Sequence, residues 1–414
     1  MAPRVVFLGD DFTGASDTLA TFTRAGWSTR LFLDLPERQQ VNGLDAVGIA
    51  SNLRGLSRED VAVEIARLAP GIKVLGADLI HYKVCSTFDS SPQIGSIGEA
   101  LRGLETVLNP AVTAIIGGQP GLGRYCAFGN LFARASDGKT HRIDRHPVMR
   151  AHPVTPMVEA DLIRLLDAQG VDALFLLSQP ELQTMSPAQL VKRLHGRVLL
   201  DVMAQSDLLR IGKALQQVAG IRLLIGASSV AEALTGASTK RPADALEPPA
   251  TSSGILVFAG SRSSVTAKQV DAAEGFERLC ITPQELASPE QIINCTIDRL
   301  NQARPVLLHL DPHAEYALDA AALAAQSAHL VARVLEQVPV GWLGLAGGDT
   351  SSSICQQLGF RDLRYLDTMD AGVSLCLAAH ADPTIDGMRI MLKGGQMGQS
   401  DLFSRFASRA GLGR

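Results

Sequence analysis

Three acidic residues stand close together near the start of the sequence, directly after an apolar run. Residues 5–8 lead into Gly9, and Asp10, Asp11 and Asp17 follow within a short stretch. Helix capping would account for one of these acids. The remaining carboxylates repel one another unless a cation, a polyol or a basic partner lies among them. The stretch therefore predicts a binding or catalytic site, with a helix cap as the alternative.

The second half of the sequence contains three apolar runs that lead directly into small, flexible residues. Glycine lets the backbone approach a phosphate closely, and free N–H groups at a helix start favour anions. Hydroxyl groups add donors, and arginine or lysine adds positive charge. Each loop alone is typical of an ordinary strand-to-helix turn, but together they predict a phosphate or nucleotide site. The candidate residues are Ser261, Arg262, Ser263, Gly347, Gly348, Asp349, Thr350, Lys393, Gly394 and Gly395.

Further candidates in the first half follow two other apolar runs. Lys83 ends one run, with Ser86 and Thr87 just behind it, although a lysine at a strand end is also typical of a solvated side chain. Arg124 follows a glycine-rich loop, where its guanidinium could clamp a carboxylate at two points. Ser228 and Ser229 follow a later strand, and we expect them to cap a helix.

Several kinds of site are excluded by pattern. The histidine- and arginine-containing window at residues 141–147, with His152, has no metal-ligand spacing, and we interpret it as a polar loop. The sequence contains no G-x-x-x-x-G-K-[ST] phosphate loop, no G-x-G-x-x-G and no G-x-S-x-G.

Composition narrows the class of protein. The net charge of −4 and the 5% aromatic content argue against nucleic-acid binding. No apolar run is long enough to cross a membrane, and no signal peptide precedes the first strand. The six cysteines are scattered without a C-x-x-C pair, which indicates reduced thiols and a cytoplasmic protein.

The elements that must position the candidate residues alternate between strand and helix patterns. This alternation predicts an α/β fold with two domains, each a largely parallel sheet flanked by helices, and a cleft between them. The stretch at 237–253 is rich in Ser, Thr, Pro and Ala and shows no periodicity. We therefore assign residues 1–236 to an N-terminal domain, 237–253 to a linker and 254–414 to a C-terminal domain.

The sequence resembles a known family. Residues 9–18, GDDFTGASDT, resemble the DD-x-TGA-x-D opening of the four-carbon acid sugar kinases, which include 3-oxo-tetronate, D-threonate and D-erythronate 4-kinases. The likeness continues in order through Lys83 with Ser86 and Thr87, Gly123 with Arg124, residues 259–262, residues 347–350 and residues 393–395. It implies an N-terminal domain that binds a sugar acid and a C-terminal domain that binds ATP. By this resemblance Ser261, residues 347–350 and Gly394 or Gly395 contact the nucleotide.

One stretch departs from the family pattern. The family commonly has K-x-D-S-T-L-R-G-N after the fourth strand, whereas this chain has KVCSTFDSS. Cys85 replaces an acid, and Phe88 and Asp89 replace a Leu-Arg pair. An arginine exchanged for an acid would alter the recognition of an anionic substrate, so the substrate can differ from the named tetronates.

These observations predict an ATP-dependent kinase that phosphorylates a hydroxyl of a small sugar acid by in-line transfer. Asp11 is the expected base and Asp10 the residue that orients the acceptor, because successive strand side chains point to opposite faces. The expected substrate-binding residues are Asp17, Lys83, Ser86, Thr87 and Arg124. Mg²⁺ would enter with ATP rather than bind to the protein alone.

Two other functions remain open at this point. A non-catalytic sensor that binds a sugar acid or a nucleotide is the alternative, and a dehydrogenase is weaker because the dinucleotide fingerprint is absent. The sequence leaves open which sugar acid is bound, which hydroxyl is phosphorylated and whether two copies form a homodimer.

Overall fold

The computed structural model describes residues 2–135, 137–152, 154–236 and 254–411. They divide into two units. The first contains described residues 2–29 and 35–236, and the second contains Arg30–Asp34 and residues 254–411. The expected linker at 237–253 lies outside the described residues.

Strands and helices alternate along most of the chain. The strands are β1 Val5–Gly9, β2 Thr29–Phe32, β3 Ala46–Ile49, β4 Leu79–Lys83, β5 Val112–Ile116, β6 Arg124–Ala127, β7 Asn130–Arg134, β8 Thr140–Arg142, β9 Leu174–Leu177, β10 Gly196–Leu200, β11 Arg222–Gly226, β12 Ile255–Ala259, β13 Glu277–Ile281, β14 Val306–Leu310, β15 Trp342–Ala346, β16 Asp362–Asp370, β17 Val373–Ala379 and β18 Arg389–Lys393. The helices are α1 Phe12–Arg24, α2 Arg58–Leu75, α3 Ile97–Leu108, α4 Leu162–Asp167, α5 Gln179–Thr184, α6 Pro187–Arg193, α7 Gln205–Leu215, α8 Ser229–Thr235, α9 Ser264–Asp271, α10 Pro283–Ala287, α11 Glu290–Asn301, α12 Ala320–Leu335, α13 Gly348–Gln357 and α14 Leu402–Arg409.

The first unit is built on a parallel sheet with the strand order β3-β1-β4-β11-β5-β10-β9. Strands β1, β4, β5 and β11 are buried along their whole length, as expected for a parallel sheet covered on both faces. Gly9 pairs with Lys83, Lys83 with Gly226, and Gly226 with Ile116. The carboxyl ends of β1, β4, β11 and β5 therefore lie side by side, and this is the edge where α/β proteins bind ligands.

A small antiparallel sheet, β6-β7-β8, belongs to the same unit. Its first hairpin turns at Phe128 and Gly129, whose φ values are 49° and 76°. Two positive φ values define the tight turn that usually contains Asn-Gly, and a phenylalanine there hides the turn from sequence reasoning. The buried carboxylate of Asp201 holds the turn by accepting the N–H groups of Phe128 at 2.6 Å and Gly129 at 3.0 Å.

The second unit contains a mixed sheet. Strands β13-β14-β12-β15-β18 are parallel, and β17, β16 and β2 continue the sheet in antiparallel pairing. Sequence reasoning places residues 29–34 in the N-terminal domain, but Arg30–Asp34 groups with this unit. The reason is that Leu31 and Phe32, both buried, pair with Leu363 and Asp362. Helices flank mostly parallel strands in both units, which confirms the predicted α/β fold class.

Helix α2 shows how local chemistry sets the elements. Ser57 caps it by accepting the N–H of Asp60 at 3.1 Å. The helix passes through the exposed Pro70 and stops at Gly76 with φ 80°. Pro70 removes only the hydrogen bond to the carbonyl of Ala66, which also lies on the exposed face and can be hydrated. Among the described residues, no helix combines the length and the apolar character that crossing a membrane requires.

Candidate active site

The two acids that follow β1 share one arginine. Arg54 donates from Nε to Oδ2 of Asp10 at 3.0 Å and from Nη2 to Oδ1 of Asp10 at 2.7 Å. The same Nη2 reaches Oδ1 of Asp11 at 2.8 Å. The backbone N–H of Arg54 also donates to the carbonyl of Asp10 at 2.9 Å. Arg54 is thus the basic partner that the crowded acids require.

Burial and neighbouring charges together set the pKa values of Asp10 and Arg54. The Asp10 side chain is 5% exposed and that of Arg54 is 25% exposed. Burial raises the pKa of Asp10, Arg54 opposes this rise, and Asp11 adds to it. Burial would lower the pKa of Arg54, but the carboxylates of Asp10 and Asp11 outweigh this and hold it well above its ordinary value. Arg54 therefore keeps its charge and acts as a permanent counter-ion.

Asp11 is both a helix cap and a member of this cluster. Its Oδ1 accepts the backbone N–H of Gly14 at 3.0 Å at the start of α1. Lys83, buried at the end of β4, approaches the same turn, because a Cβ at Gly14 would collide with both Lys83 Nζ and Asp11 Oδ1. Among the described residues, none forms a hydrogen bond or an ion pair with the Lys83 ammonium. The turn thus brings a lysine cation beside the pair of acids.

Asp17 is placed differently from the other two acids. Its Oδ2 accepts a hydrogen bond from Ser228 Oγ at 2.5 Å, and Ser228 Oγ lies 3.0 Å from Thr18 Oγ1. The side chain of Ser228 does not cap α8, so the expectation of a cap is wrong at this residue. The hydroxyl instead donates to the carboxylate of Asp17 in α1, and a hydrogen bond to a charged acceptor is stronger than one between neutral groups.

The loop after β4, where the chain departs from the family pattern, folds onto the same cluster. Cys85 Sγ lies 2.9 Å from Thr87 Oγ1, which donates to Asp89 Oδ1 at 2.6 Å. Burial would raise the pKa of Asp89, but Arg54 and these hydrogen bonds outweigh it and lower the pKa. Burial, with Asp89 nearby, raises the pKa of Cys85 to about 11, so the thiol stays protonated. Ser86 is half-buried in the same loop.

Arg124 begins β6 and forms no ion pair with a carboxylate of the described residues. Its Nη1 donates to the carbonyls of Leu122 at 3.0 Å and Arg134 at 3.2 Å. Its Nε is buried and has no partner. Burial lowers the pKa of Arg124, and the nearby Cys85 opposes this. The guanidinium therefore lies close to the loop that contains Cys85.

The window at 141–147 begins in β8 with His141 and Arg142 and continues as a polar turn, so the predicted polar loop is wrong for its first two residues. Arg142 binds Asp144 at 2.7 and 2.6 Å, and His146 Nδ1 accepts two backbone N–H groups. His152 Nδ1 accepts the N–H of Thr155 at 3.1 Å. Across residues 2–135, 137–152, 154–236 and 254–411, no group of three His, Cys, Asp or Glu side chains could hold a metal ion.

In the second unit the three glycine loops meet. A Cβ at Gly260 would lie 2.5 Å from Thr350 Oγ1, and one at Gly395 would lie 2.6 Å from Ser261 Oγ. Gly347, with φ 121°, lies just before α13, and a Cβ there would be 3.2 Å from the backbone nitrogen of Ser261. The loops after β12, β15 and β18 therefore pack closely, with the side chains of Thr350 and Ser261 against bare glycines.

A buried lysine lies at the centre of these loops. Lys393 is fully buried, and its Nζ donates to Thr266 Oγ1 at 2.8 Å. Thr266 and Ser263 both donate to the carbonyl of Gly395, at 3.1 and 2.5 Å. Burial lowers the pKa of Lys393 to about 8. No carboxylate of the described residues forms an ion pair with it, so a bound anion would supply the missing counter-charge.

The other candidates of this unit lie at the rim of the loops. Arg262 donates to the carbonyl of Ala314 at 2.8 Å, and its guanidinium stacks 5.5 Å from the ring of Tyr316. Asp349 is exposed in the first turn of α13, next to the half-buried Gly348. Gly394 follows Lys393 directly and is half-buried. The predicted residues of the second half are thus gathered at one edge of one sheet.

Two models of known protein domains match the two halves of the chain. Residues 5–234 match the model of a sugar-binding N-terminal domain, and residues 256–403 match that of a nucleotide-binding C-terminal domain. The chain belongs to the four-carbon acid sugar kinase family. The predicted family is therefore confirmed, and so is the reaction class, ATP-dependent phosphorylation of a small sugar acid.

Two kinases and two solved structures resemble the chain along nearly its whole length. The 3-oxo-isoapionate kinase of Paraburkholderia graminis is 34% identical, over 96% of this chain and 93% of that protein. The 3-oxo-tetronate kinase of Pseudomonas savastanoi pv. phaseolicola is 29% identical, over 97% and 96%. A crystal structure from Haemophilus influenzae superimposes with a TM-score of 0.73 at 25% identity, covering 98% of this chain and 99% of that one. One from Salmonella typhimurium LT2 gives 0.76 at 25% identity, covering 97% and 98%.

Sequence reasoning missed the arginine that organises the first site of this kinase. Arg54 stands in a short loop after β3, in no recognisable motif. The one available signal was the unbalanced charge of Asp10 and Asp11, which required a basic partner but did not identify it. The same sheet edge contains Gln119 and Glu232, which were also missed because no motif identifies them.

Proposed function

We propose that the chain phosphorylates a hydroxyl of a 3-oxo sugar acid. Two of its relatives, a 3-oxo-isoapionate kinase and a 3-oxo-tetronate kinase, are named for substrates of this class. The sugar acid would bind at the carboxyl ends of β1 and β4, and ATP would bind at the glycine loops of the second unit. The identity of 34% over nearly the full length supports this substrate class. All six cysteines are free, which supports action in the reducing cytoplasm.

Asp11 is the base in this proposal, and the Arg54 hydrogen bonds carry the assignment. Arg54 engages both carboxylate oxygens of Asp10 but only Oδ1 of Asp11. Asp11 Oδ2 has no hydrogen-bond partner among the described residues, and the side chain is 19% exposed. One oxygen is therefore held in place while the other can accept the proton of the attacking hydroxyl. Asp10, with both oxygens occupied, orients the pair.

The anionic part of the acceptor would be bound by the cations around this base. The residue Lys83 is 4% exposed and its ammonium has no hydrogen-bond or ion-pair partner among the described residues, and a substrate carboxylate would provide one. Thr87 and Ser86 would add hydroxyl contacts from the loop after β4, and Arg124 would contribute its unpartnered Nε. Asp89, held by Thr87, would then face the substrate from the position that holds an arginine in the family pattern.

The donor phosphates would be bound by the loops around Ser261, Gly347 and Gly395. ATP would arrive as its Mg²⁺ complex, because Mg²⁺ is usually bound through substrate phosphates with one or two carboxylates and waters. Lys393 would stabilise the phosphate charge from below, and the first N–H groups of α13 would donate to phosphate oxygens. Transfer then needs positioning and charge neutralisation more than covalent chemistry.

The test is ADP release across a panel of four- and five-carbon 3-oxo sugar acids. Asp11→Asn should lower kcat by about 10²- to 10⁴-fold, the typical contribution of a general base. Its KM for ATP should remain unchanged, because the nucleotide site lies in other loops. The exposed Asp167→Asn, the same chemical change elsewhere in the first unit, is the matched control. Normal turnover by Asp11→Asn would refute the base assignment, and ATP binding without ADP release on any acid would favour the sensor.

A further inference from the structure

A partly buried polar pair lies at the same sheet edge, among residues that the proposed function has not used. Gln119 is 4% exposed and follows β5, and its Nε2 donates to Glu232 Oε1 at 2.8 Å. Glu232 lies in the first turn of α8, after β11. The side chain of Gln205, from α7, also donates to Glu232. Three elements thus direct amide donors and a carboxylate towards one place.

This pair is not stabilised by a neighbouring cation. Burial raises the pKa of Glu232, and the nearby carboxylate of Asp17 raises it too. Neither acid forms an ion pair with any residue that the structure describes, and Arg24 acts on Glu232 only at longer range. Two partly buried carboxylates side by side are unfavourable, and an apolar pair would fill the same space more favourably. The two carboxylates are therefore destabilising unless they accept hydrogen bonds from a bound ligand.

Two unsatisfied hydroxyl groups border the same carboxylates. Thr13 Oγ1 has no hydrogen-bond partner, and the residue is only 8% exposed. Thr13 and Asp17 are four residues apart in α1 and share the face that Asp17 turns towards Ser228. Ser229 Oγ, fully buried at the start of α8, is also without a partner. Buried hydroxyls are normally hydrogen-bonded, so these two indicate a polar group that the protein does not itself supply.

The position of this cluster relates it to the base. Asp11 precedes Thr13 at the start of α1, and Asp17 lies four residues after Thr13 and six after Asp11, about 6 Å and about 9 Å along the helix axis. An extended acid of four or five carbons with a hydrogen bond at each end spans about this distance, so a chain whose reacting hydroxyl is at Asp11 can reach Asp17. Its other hydroxyls would arrive at Asp17 and Glu232, where carboxylate oxygens accept but do not donate.

We propose that Glu232 and Gln119, together with Asp17 and Thr13, form the subsite that recognises the sugar acid's hydroxyl groups other than the one phosphorylated. This inference rests on the proposed function and specifies its acceptor as a polyhydroxy acid. The carboxylates accept the substrate's O–H groups, and Gln119 fixes Glu232 so that its remaining lone pairs face the ligand. A site built this way rejects an analogue that lacks the hydroxyl, because its acceptors are then left unpaired.

The experiment compares each hydroxylated acid with its deoxy analogue in the ADP-release assay, using the full chain. Wild type should prefer the hydroxylated acid by about ten- to a hundredfold in kcat/KM. Glu232→Gln should lose most of that preference through a higher KM, with kcat nearly unchanged. Gln119→Leu, the second variant, should show a smaller loss of the same kind. Glu59→Gln, an exposed change of the same chemistry in α2, should behave as wild type.

The outcomes separate this inference from the proposed function. If wild type binds ATP but phosphorylates no sugar acid, the proposed function fails. If wild type is active and both variants keep the full preference for the hydroxylated acid, the subsite is refuted while the kinase stands. A purely structural role for Glu232 would lower activity equally on both members of a substrate pair, and that result would also refute the subsite. Circular dichroism and the fluorescence of Trp27, which is buried in the first unit, verify that this unit of each variant is folded.

Discussion

Replacing Arg54 by methionine should destabilise the first unit strongly. The change removes hydrogen bonds of 3.0, 2.7 and 2.8 Å and leaves two carboxylates facing each other. The Asp10 side chain is only 5% exposed, so water cannot replace the guanidinium there. Removal of one partner from a buried ion pair typically costs about 3–5 kcal/mol. Since the Arg54 side chain is 25% exposed, we expect about 3 kcal/mol, a large part of the roughly 5–15 kcal/mol that holds a domain together.

The pH dependence gives this prediction its sign. The folded-state pKa of Asp10 lies above its ordinary value of 3.8, so the folded form takes up a proton before the unfolded form does. Loss of Arg54 removes a charge that lowers this pKa, so the penalty for an ionised, unpaired Asp10 is full above the raised pKa and declines to nothing as the pH falls from there to 3.8. Arg54→Met should consequently approach wild-type stability under acidic conditions, and Arg54→Met combined with Asp10→Asn should recover much of it at neutral pH.

The assay is urea unfolding followed by the fluorescence of Trp27, which lies in the first unit. Trp342→Phe serves as the common background, because it removes the tryptophan signal of the second unit. Arg58→Met is the matched control: Arg58 pairs with Glu99 at 2.8 Å but is 43% exposed, and such a pair is worth about 0–1 kcal/mol. The reasoning is refuted if Arg54→Met loses no more stability than Arg58→Met, or if its loss is independent of pH.

Two further predictions concern the second unit. Because the pKa of Lys393 is about 8, the ATP affinity of wild type should fall between pH 7 and pH 9 as the ammonium loses its proton. Lys393→Met should bind ATP weakly at both pH values. Calorimetry at pH 7 and pH 9 measures this, and an equal pH dependence of binding in the variant would contradict the prediction. Gly260→Ala should weaken ATP binding about tenfold or more, because its Cβ would lie 2.5 Å from Thr350 Oγ1 and force two loops apart. Gly121→Ala, where a Cβ meets nothing within 4 Å, should bind as wild type does.

The sequence predicted those features that depend on local pattern. Buried parallel strands such as β1 and β5 are continuous apolar runs, and the glycine loops follow them directly, so both were found. The small sheet was not found, because its hairpin has Phe128 where a tight turn usually has asparagine. The turn is held instead by Asp201, which is distant in the sequence. Arg54 was missed for a related reason, since only the fold brings it to Asp10.

The place of β2 has a consequence for how the two halves can be separated. Leu31 and Phe32 come from the first tenth of the chain, yet they pair with β16, more than three hundred residues later. A fragment that began after residue 253 would contain the three glycine loops of the second unit but would lack β2. The edge of β16 would then present unpaired N–H and C=O groups, a template for self-association. The nucleotide-binding half is therefore not a transferable module, unless residues 29–34 are returned to it as a complementing peptide or a circular permutation.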